Sequence, residues 1–419
     1  MNLRRELGLL HATMMGLGSA ICAGIFVILG PATGIAGPAV ILSFLLCGII
    51  NFATMLSYCE LGAAMPRVGG EYAYAKEAFN GVFGFLTGWY EWSSNIFYAT
   101  LMVLGSAYLL SYLMPINIFP VIFSLVAIFT AINIKGIREA GVTQTLLTTT
   151  MLAILFLFIG AGLAHGFRSN AFEPFMPRGP LSVIAAIAFI FDTYLGVEAI
   201  AATQAEIKKP EKTIPRAMIL CSLILIVVYT LVAYVTVGII SPDVLSNSST
   251  PLNLVAEKTI GKVGVILLTA AGLIAALTSL NSAIIASSRA AYALSQDGHF
   301  PKPLKKIHDR YKTPYISIVI VSALILFFSM IDNLEFVVYS INFGFLIGFS
   351  LVNLSLIKLR RSKPNLNRPF KTPLYPLTPI TGLVTSLMLI AFIDIKPLVF
   401  GIAWGILGLT IYFLRKRTS

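Results

Sequence analysis

Runs of about twenty apolar residues, hardly interrupted by charge, recur from one end of this chain to the other. Wound as a helix at about 1.5 Å per residue, such a run spans the hydrocarbon core of a bilayer. In that solvent a helix has the advantage of satisfying its own backbone hydrogen bonds. Twelve runs stand near 9–34, 37–62, 81–112, 116–134, 141–166, 180–203, 215–240, 262–290, 314–331, 334–358, 377–394 and 397–414. Of the 419 residues, 57% are hydrophobic and only 11% charged. Soluble domains carry about a quarter charged residues, so the composition agrees with the runs. The opening Met1-Asn2-Leu3-Arg4-Arg5 leads into a long apolar stretch without a cleavage pattern, and the first helix is expected to be retained.

The net charge of +12 could point to nucleic acid, but its placement points to a membrane. If the N-terminus faces the cytoplasm, all but five of the 30 Lys and Arg fall on the inner side of the twelve spans. The five outer ones are Arg168, Arg178, Lys258, Lys262 and Lys396. Basic residues favour cytoplasmic loops, so both termini are expected inside a cell membrane. Segment 241–261 reads as the one long outer loop. Cys22, Cys47, Cys59 and Cys221 lie in or at the ends of apolar runs with no CxxC or histidine spacing, which argues against disulfides and zinc. No structural metal, nucleotide motif or catalytic cluster stands out, and the chain is not expected to be an enzyme.

Two spans carry glycines where a straight helix would not want them. The first reads Gly16-Leu17-Gly18-Ser19-Ala20-Ile21-Cys22-Ala23-Gly24-Ile25-Phe26, and the sixth reads Phe191-Asp192-Thr193-Tyr194-Leu195-Gly196-Val197-Glu198. Each glycine costs about 1 kcal/mol against alanine in a helix. Close helix packing would use small residues too. However, the two clusters open two successive five-span halves, and paired interruptions of this kind point to a midplane binding site. Freed N–H groups there can hold a carboxylate, and freed C=O groups an ammonium or cation. Asp192 falls within the second break; a carboxylate at that depth costs about 2.5–3.5 kcal/mol and ordinarily faces a cavity or partner. Glu198 reads as a structural tie between helices near the cytoplasmic end, and Glu91, in Trp89-Tyr90-Glu91-Trp92, as a snorkelling or paired carboxylate near the inner surface.

At these residues the chain resembles the amino acid–polyamine–organocation superfamily of permeases. Tyr58-Cys59-Glu60-Leu61-Gly62-Ala63-Ala64-Met65-Pro66-Arg67-Val68-Gly69-Gly70-Glu71-Tyr72-Ala73-Tyr74 is similar to the family's first inner loop. Tyr194-Leu195-Gly196-Val197-Glu198, with Glu206, Lys209-Pro210 and Ile214-Pro215-Arg216-Ala217, resembles its sixth helix and the loop after it. Ser288-Arg289 and Asp297-Gly298-His299-Phe300-Pro301 resemble the end of its eighth helix, and Gly24-Ile25-Phe26 the end of its first-helix glycine motif.

The resemblance implies an all-α integral membrane protein of about twelve helices: a five-plus-five inverted repeat with discontinuous first and sixth helices, plus two C-terminal helices. Repeat one would cover 9–166, repeat two 180–358 and the additional helices 377–414. It implies a secondary active transporter moving amino acids or related amines by alternating access, with an obligatory amino acid or polyamine exchanger and a non-transporting nutrient receptor as alternatives. By position, Ile21, Ala23 and Gly24 would meet the substrate on one side, and Phe191, Asp192, Thr193 and Leu195 on the other. Two departures alter the pocket. Cys22 stands where the family usually has glycine, and Asp192 where related exchangers carry a bulky residue, so a cationic head group is expected to be favoured.

Proton-coupled relatives carry a lysine at the position of Met151, which has no proton to exchange. Ala275-Ala276-Leu277-Thr278-Ser279 is similar to the sodium-site pattern of sodium-coupled members. Gly18, Ile21, Ala275, Thr278 and Ser279 therefore form a candidate cation site, with helix packing as the alternative use of the hydroxyls. Symport with Na+, symport with H+ and exchange all stay open, as does a homo-oligomer.

Overall fold

In the computed structural model, residues 8–65, 70–79, 81–136, 141–202 and 207–416 are described. Arg4, Arg5, Arg138, Glu206, Arg417 and the Pro66-Arg67-Val68-Gly69 part of the loop motif lie outside them. The described residues are helical almost throughout. Among the described residues, eight helices are long and apolar enough to cross a membrane, and Pro180–Tyr194, Tyr315–Ser329 and Leu377–Ile390 are shorter apolar ones.

The first span is two helices, α1 (Leu9–Ala20) and α2 (Ala23–Ala36), separated by non-helical Ile21 and Cys22. After a 3-10 turn at Gly37–Ala39 come α3 (Val40–Ala64), the short α4 (Gly70–Phe79) and α5 (Gly81–Leu113). Next are α6 (Ile118–Lys135) and α7 (Gly141–His165). The sixth span is again broken, into α8 (Pro180–Ile190), a 3-10 turn at Phe191–Tyr194, and the stub α9 (Ala199–Ala202). Then follow α10 (Pro210–Ile239), α11 (Pro242–Ser246), α12 (Pro251–Thr259), α13 (Lys262–Gln296), α14 (Tyr315–Ser329), α15 (Leu334–Ser362), α16 (Leu377–Ile390) and α17 (Ile395–Lys416).

Segment 241–261 departs from the expected loop, since α11 and α12 occupy most of it. Both begin with proline at the first helical position, where its missing N–H is no loss. Leu252, Val255 and Ala256 of α12 are buried, and that helix packs on α13, α2 and α7. A two-helix cover thus closes one end of the bundle.

Broken spans α1/α2 and α8/α9 lie at the centre. Around them α5 packs most extensively on α13, and α3 on α10. On the outside, Phe123, Leu157, Val227, Phe327, Val384 and Ile402 are exposed apolar side chains, as expected of a surface whose solvent is lipid. The added helix α17 is fastened through an aromatic cluster: the Trp89 indole N–H donates to the Trp404 carbonyl at 3.0 Å, with their rings 5.0 Å apart.

Glu60 holds together the end of the bundle that carries α4. Fully buried at the end of α3, its carboxylate accepts from Arg360 Nε at 2.8 Å and Nη2 at 2.5 Å, and from the Thr372 N–H at 2.7 Å. Arg368 Nε lies 3.2 Å away on the same carboxylate. One acid thereby ties α3, α15 and the 363–376 linker. A second, more exposed tie joins α4 to the end of α13, where Tyr72 and Lys76 both donate to the Asp297 carboxylate. Burial alone would raise that carboxyl, but these two hydrogen bonds, together with the positive charge of Lys76, outweigh it and hold it below the usual range. A carboxylate lowered on folding loses its contribution only as pH falls through its folded-state value, so this tie persists at neutral pH. With Lys76 half exposed it contributes little stability and chiefly sets the position of α4.

Replacing Glu60 by glutamine leaves two part-buried guanidinium groups facing a neutral amide. Removing one partner of a buried ion pair costs about 3–5 kcal/mol. Glu60→Gln is expected to lower the melting temperature in detergent markedly, and Lys76→Gln to leave it nearly unchanged. Equal melting of both variants would show that the Glu60 cluster is not a structural clamp.

Candidate functional site

Helix α1 stops because Gly16 and Gly18 weaken its last turns and because side chains from other spans take over its free carbonyls. The Tyr98 hydroxyl, from α5, donates to the Ser19 carbonyl at 3.2 Å, and Ser279 Oγ, from α13, reaches the same oxygen at 3.5 Å. The Tyr229 hydroxyl, from α10, donates to the Ala20 carbonyl at 3.1 Å. On the far side of the gap, α2 opens at Ala23 with first-turn N–H groups that have no carbonyl within their own helix. Cys22 takes one of them: its extended backbone makes it the N-cap, and its Sγ accepts from the Gly24 N–H at 3.3 Å.

The second break is built the same way. Asn342 Nδ2, from α15, donates to the Ala188 and Phe189 carbonyls at 2.8 Å each, capping the end of α8. Thr193 Oγ1 donates to the Ile190 carbonyl at 2.7 Å, and the Tyr194 hydroxyl to the Phe44 carbonyl at 2.7 Å. Leu195 is extended, and Gly196 has φ of 109°. Both carboxylate oxygens of Glu198 accept from the Gly196 N–H, at 2.8 and 2.9 Å. The sequence suggests a tie between helices for Glu198, whereas its observed hydrogen bonds lie within its own break, two residues away. Glu91 is grouped electrostatically with Glu71 and Glu198 and not with Asp192.

The two breaks touch backbone to backbone. A Cβ on Gly196 would lie 2.5 Å from the Ser19 carbonyl oxygen and 2.7 Å from the Ala20 nitrogen. A Cβ added to Gly24 would lie 3.3 Å from Thr193 Cγ2, so the start of α2 faces the turn after α8. The structure thus brings together the candidate substrate residues of the two spans. Ile21, Ala23, Phe191, Asp192 and Thr193 are wholly buried, Leu195 is 1% exposed, and Gly24 is buried with them.

Asp192 is the anomaly within it. Neither carboxylate oxygen has a hydrogen-bond partner among the described residues, and no ion pair there reaches it. Cys22, Cys47 and Tyr229 lie within its electrostatic reach, and none is a cation.

The candidate cation residues are gathered less tightly. Ser279 reaches the first break through the Ser19 carbonyl, and Ala275 is fully buried on the same helix. Thr278 turns its hydroxyl back onto its own helix, donating to Ile274 at 2.8 Å and Ala275 at 3.1 Å. Gly18 lies against the Gln144 and Thr148 side chains of α7. Met151, one turn further along that helix, is an apolar core residue 1% exposed.

The caps Tyr98, Tyr229 and Asn342 were not singled out from sequence. Their signal was a polar group inside an apolar run, a residue type that in membranes ordinarily has a partner. Gly196 meets two demands at once, a positive φ and backbone contact at the crossing. Gly196→Ala should therefore reduce function about tenfold or more, while a substitution at Gly8, where an added Cβ meets nothing within 4 Å, has little effect; normal activity of purified, correctly folded Gly196→Ala would remove this crossing from the site.

Residues 11–403 match the model of the amino acid permease family. Among curated proteins, the chain is 27% identical to the branched-chain amino acid permease BcaP of Bacillus subtilis, over 99% of this chain and 94% of the relative. It is 28% identical to the methylthioribose transporter of the same organism over the same shares. With the serine/threonine exchanger SteT of Bacillus subtilis the identity is 26%, over 100% of this chain and 98% of that one. With the family model covering nearly all of a helical bundle broken at its first and sixth spans, the chain belongs to the amino acid permease family and is a multi-pass membrane transporter, not an enzyme.

Proposed function

We propose that the chain carries amino acids, or amines related to them, across the cell membrane by alternating access around the two breaks, with both termini cytoplasmic. The unpartnered Asp192 carboxylate, wholly buried beside two helix ends, carries this reading. An isolated charge at that depth is costly, and a substrate ammonium group would supply the missing partner. The substrate carboxylate would go to the first-turn N–H groups of α2, displacing the weak sulfur acceptor of Cys22 from Gly24.

The halves 9–166 and 180–358 are read as the inverted repeats, with 377–414 added. Helix pairing supports this: α2 packs on α8, α3 on α10, α5 on α13 and α6 on α14, so each of the first four spans meets the span five places later. Alternating access then amounts to a movement of the broken pair within this frame. The relatives' names cover branched-chain amino acids, serine and threonine, and methylthioribose. They do not agree on one cargo, so the preference for a cationic group is argued from Asp192. One relative is named an exchanger, which keeps exchange beside symport.

Uptake into proteoliposomes of a labelled panel of neutral, basic and polyamine substrates tests this, with sodium gradients and with unlabelled solute inside. A hydrogen bond to a charged group contributes about 1.5–3 kcal/mol. Asp192→Asn is therefore expected to weaken cationic substrates by roughly ten- to a hundredfold, with neutral ones little changed. Unaltered selectivity would reject the role of Asp192. Binding without counterflow would make the protein a receptor. Sodium stimulation abolished by Thr278→Ala and Ser279→Ala would establish the cation site, and uptake requiring internal solute would establish exchange.

A further inference from the structure

Between α15 and the linker after it, residues 358–371 hold six basic residues with unequal fates, of which Lys371 is exposed and lies outside the hollow described next. Arg360 and Arg368 are held by Glu60, and Lys363 by Glu77. Lys358 and Arg361 have no acidic partner among the described residues, and both are exposed. These two line one hollow, of about 380 Å3, together with Phe79, Leu354, Ile357 and Ser362. Residues 354, 357, 358 and 361 follow one another at helical spacing, so they form a single stripe along α15. The stripe changes character along its length. Leu354 and Ile357 are part-exposed apolar residues on the membrane side, and Lys358 and Arg361 stand at the end of the span. Lys358 Nζ is held 4.4 Å from the centre of the Phe79 ring, which fixes a cation at the mouth of the hollow.

We propose that this hollow binds the headgroup of an anionic phospholipid, with its phosphate between Lys358 and Arg361 and the start of its acyl chains along Leu354 and Ile357. Assigning the lipid to the cytoplasmic leaflet rests on the orientation given under the proposed function. The chemistry is complementary in both halves. An unpaired guanidinium and an ammonium meet a phosphodiester, and an apolar wall continues into the hydrocarbon. A soluble phosphate would match only the basic half. Basic clusters just cytoplasmic of a spanning helix attract anionic lipid; the hollow and the pairing pattern together single out Lys358 and Arg361 for it.

The test uses the full-length protein in neutral detergent, titrated with phosphatidylglycerol and separately with phosphatidylcholine, with bound lipid read by native mass spectrometry. One phosphatidylglycerol should be retained in preference to phosphatidylcholine. Lys358→Gln with Arg361→Gln should weaken it by roughly ten- to thirtyfold. The same change at Lys302 and Lys305, also exposed and on the same side, should weaken it by less than about threefold. Equal losses in both double variants would reduce the site to general basicity and overturn the proposal, as would retention in Lys358→Gln/Arg361→Gln. Inorganic phosphate displacing the lipid at comparable concentration would mark a free-anion site and overturn it as well. Melting curves confirm that each variant is folded. Lipid retention is read without transport, so a failed uptake assay would reject the proposed function and leave this site standing.

Discussion

Everything at the centre of this bundle depends on two helices being broken at the same depth and crossing at a glycine. Gly196 brings the backbone of the sixth span against Ser19 and Ala20 of the first so closely that any Cβ would collide with peptide atoms. Breaking a helix in hydrocarbon strands polar backbone groups at several kcal/mol each. The surrounding spans meet that cost: Tyr98, Ser279 and Tyr229 cap the end of α1, and Asn342 caps the end of α8. The frame helices therefore have a polar task as well as a packing one. A break capped from α5, α10, α13 and α15 can persist where a bare one would rewind.

Which parts of this were legible in sequence follows from the range of each interaction. Span positions are set by local apolarity, and the twelve runs correspond to helices with ends shifted by a few residues. The breaks were legible because Gly18, Gly24 and Gly196 act on their own backbone. The caps were not, because Tyr98 and Ser19 are 79 residues apart and Tyr229 and Ala20 are 209 apart. Glu60 sits in a legible motif, yet its partner Arg360 lies 300 residues away, so its structural use appears only in three dimensions. The helices α11 and α12 were missed because Ser, Asn and Pro dominate 241–251, and their helicity is decided by burial of Leu245, Leu252 and Val255.

Cys22 shows how a substitution changes a site without dismantling it. With glycine there, the first turn of α2 would present its N–H groups without a local competitor. The thiol supplies a weak acceptor at 3.3 Å, enough to satisfy Gly24 and weak enough to yield to a carboxylate. The four cysteines, all buried and unpaired, otherwise behave as small packing residues.

The carboxylates separate scaffold from site. Glu60 is answered by two guanidinium groups and a backbone N–H, and Glu198 by the Gly196 N–H on both oxygens. Each is saturated by the protein itself. Asp192 is buried as deeply as Glu60, yet no other described residue donates a hydrogen bond to it. Glu60 and Glu198 have donors from the protein, and the ends of the broken helices are capped; under the proposed function, the open carboxylate of Asp192 is kept for the substrate. In that proposal the partner of Asp192 arrives from outside and leaves again, as a carrier requires.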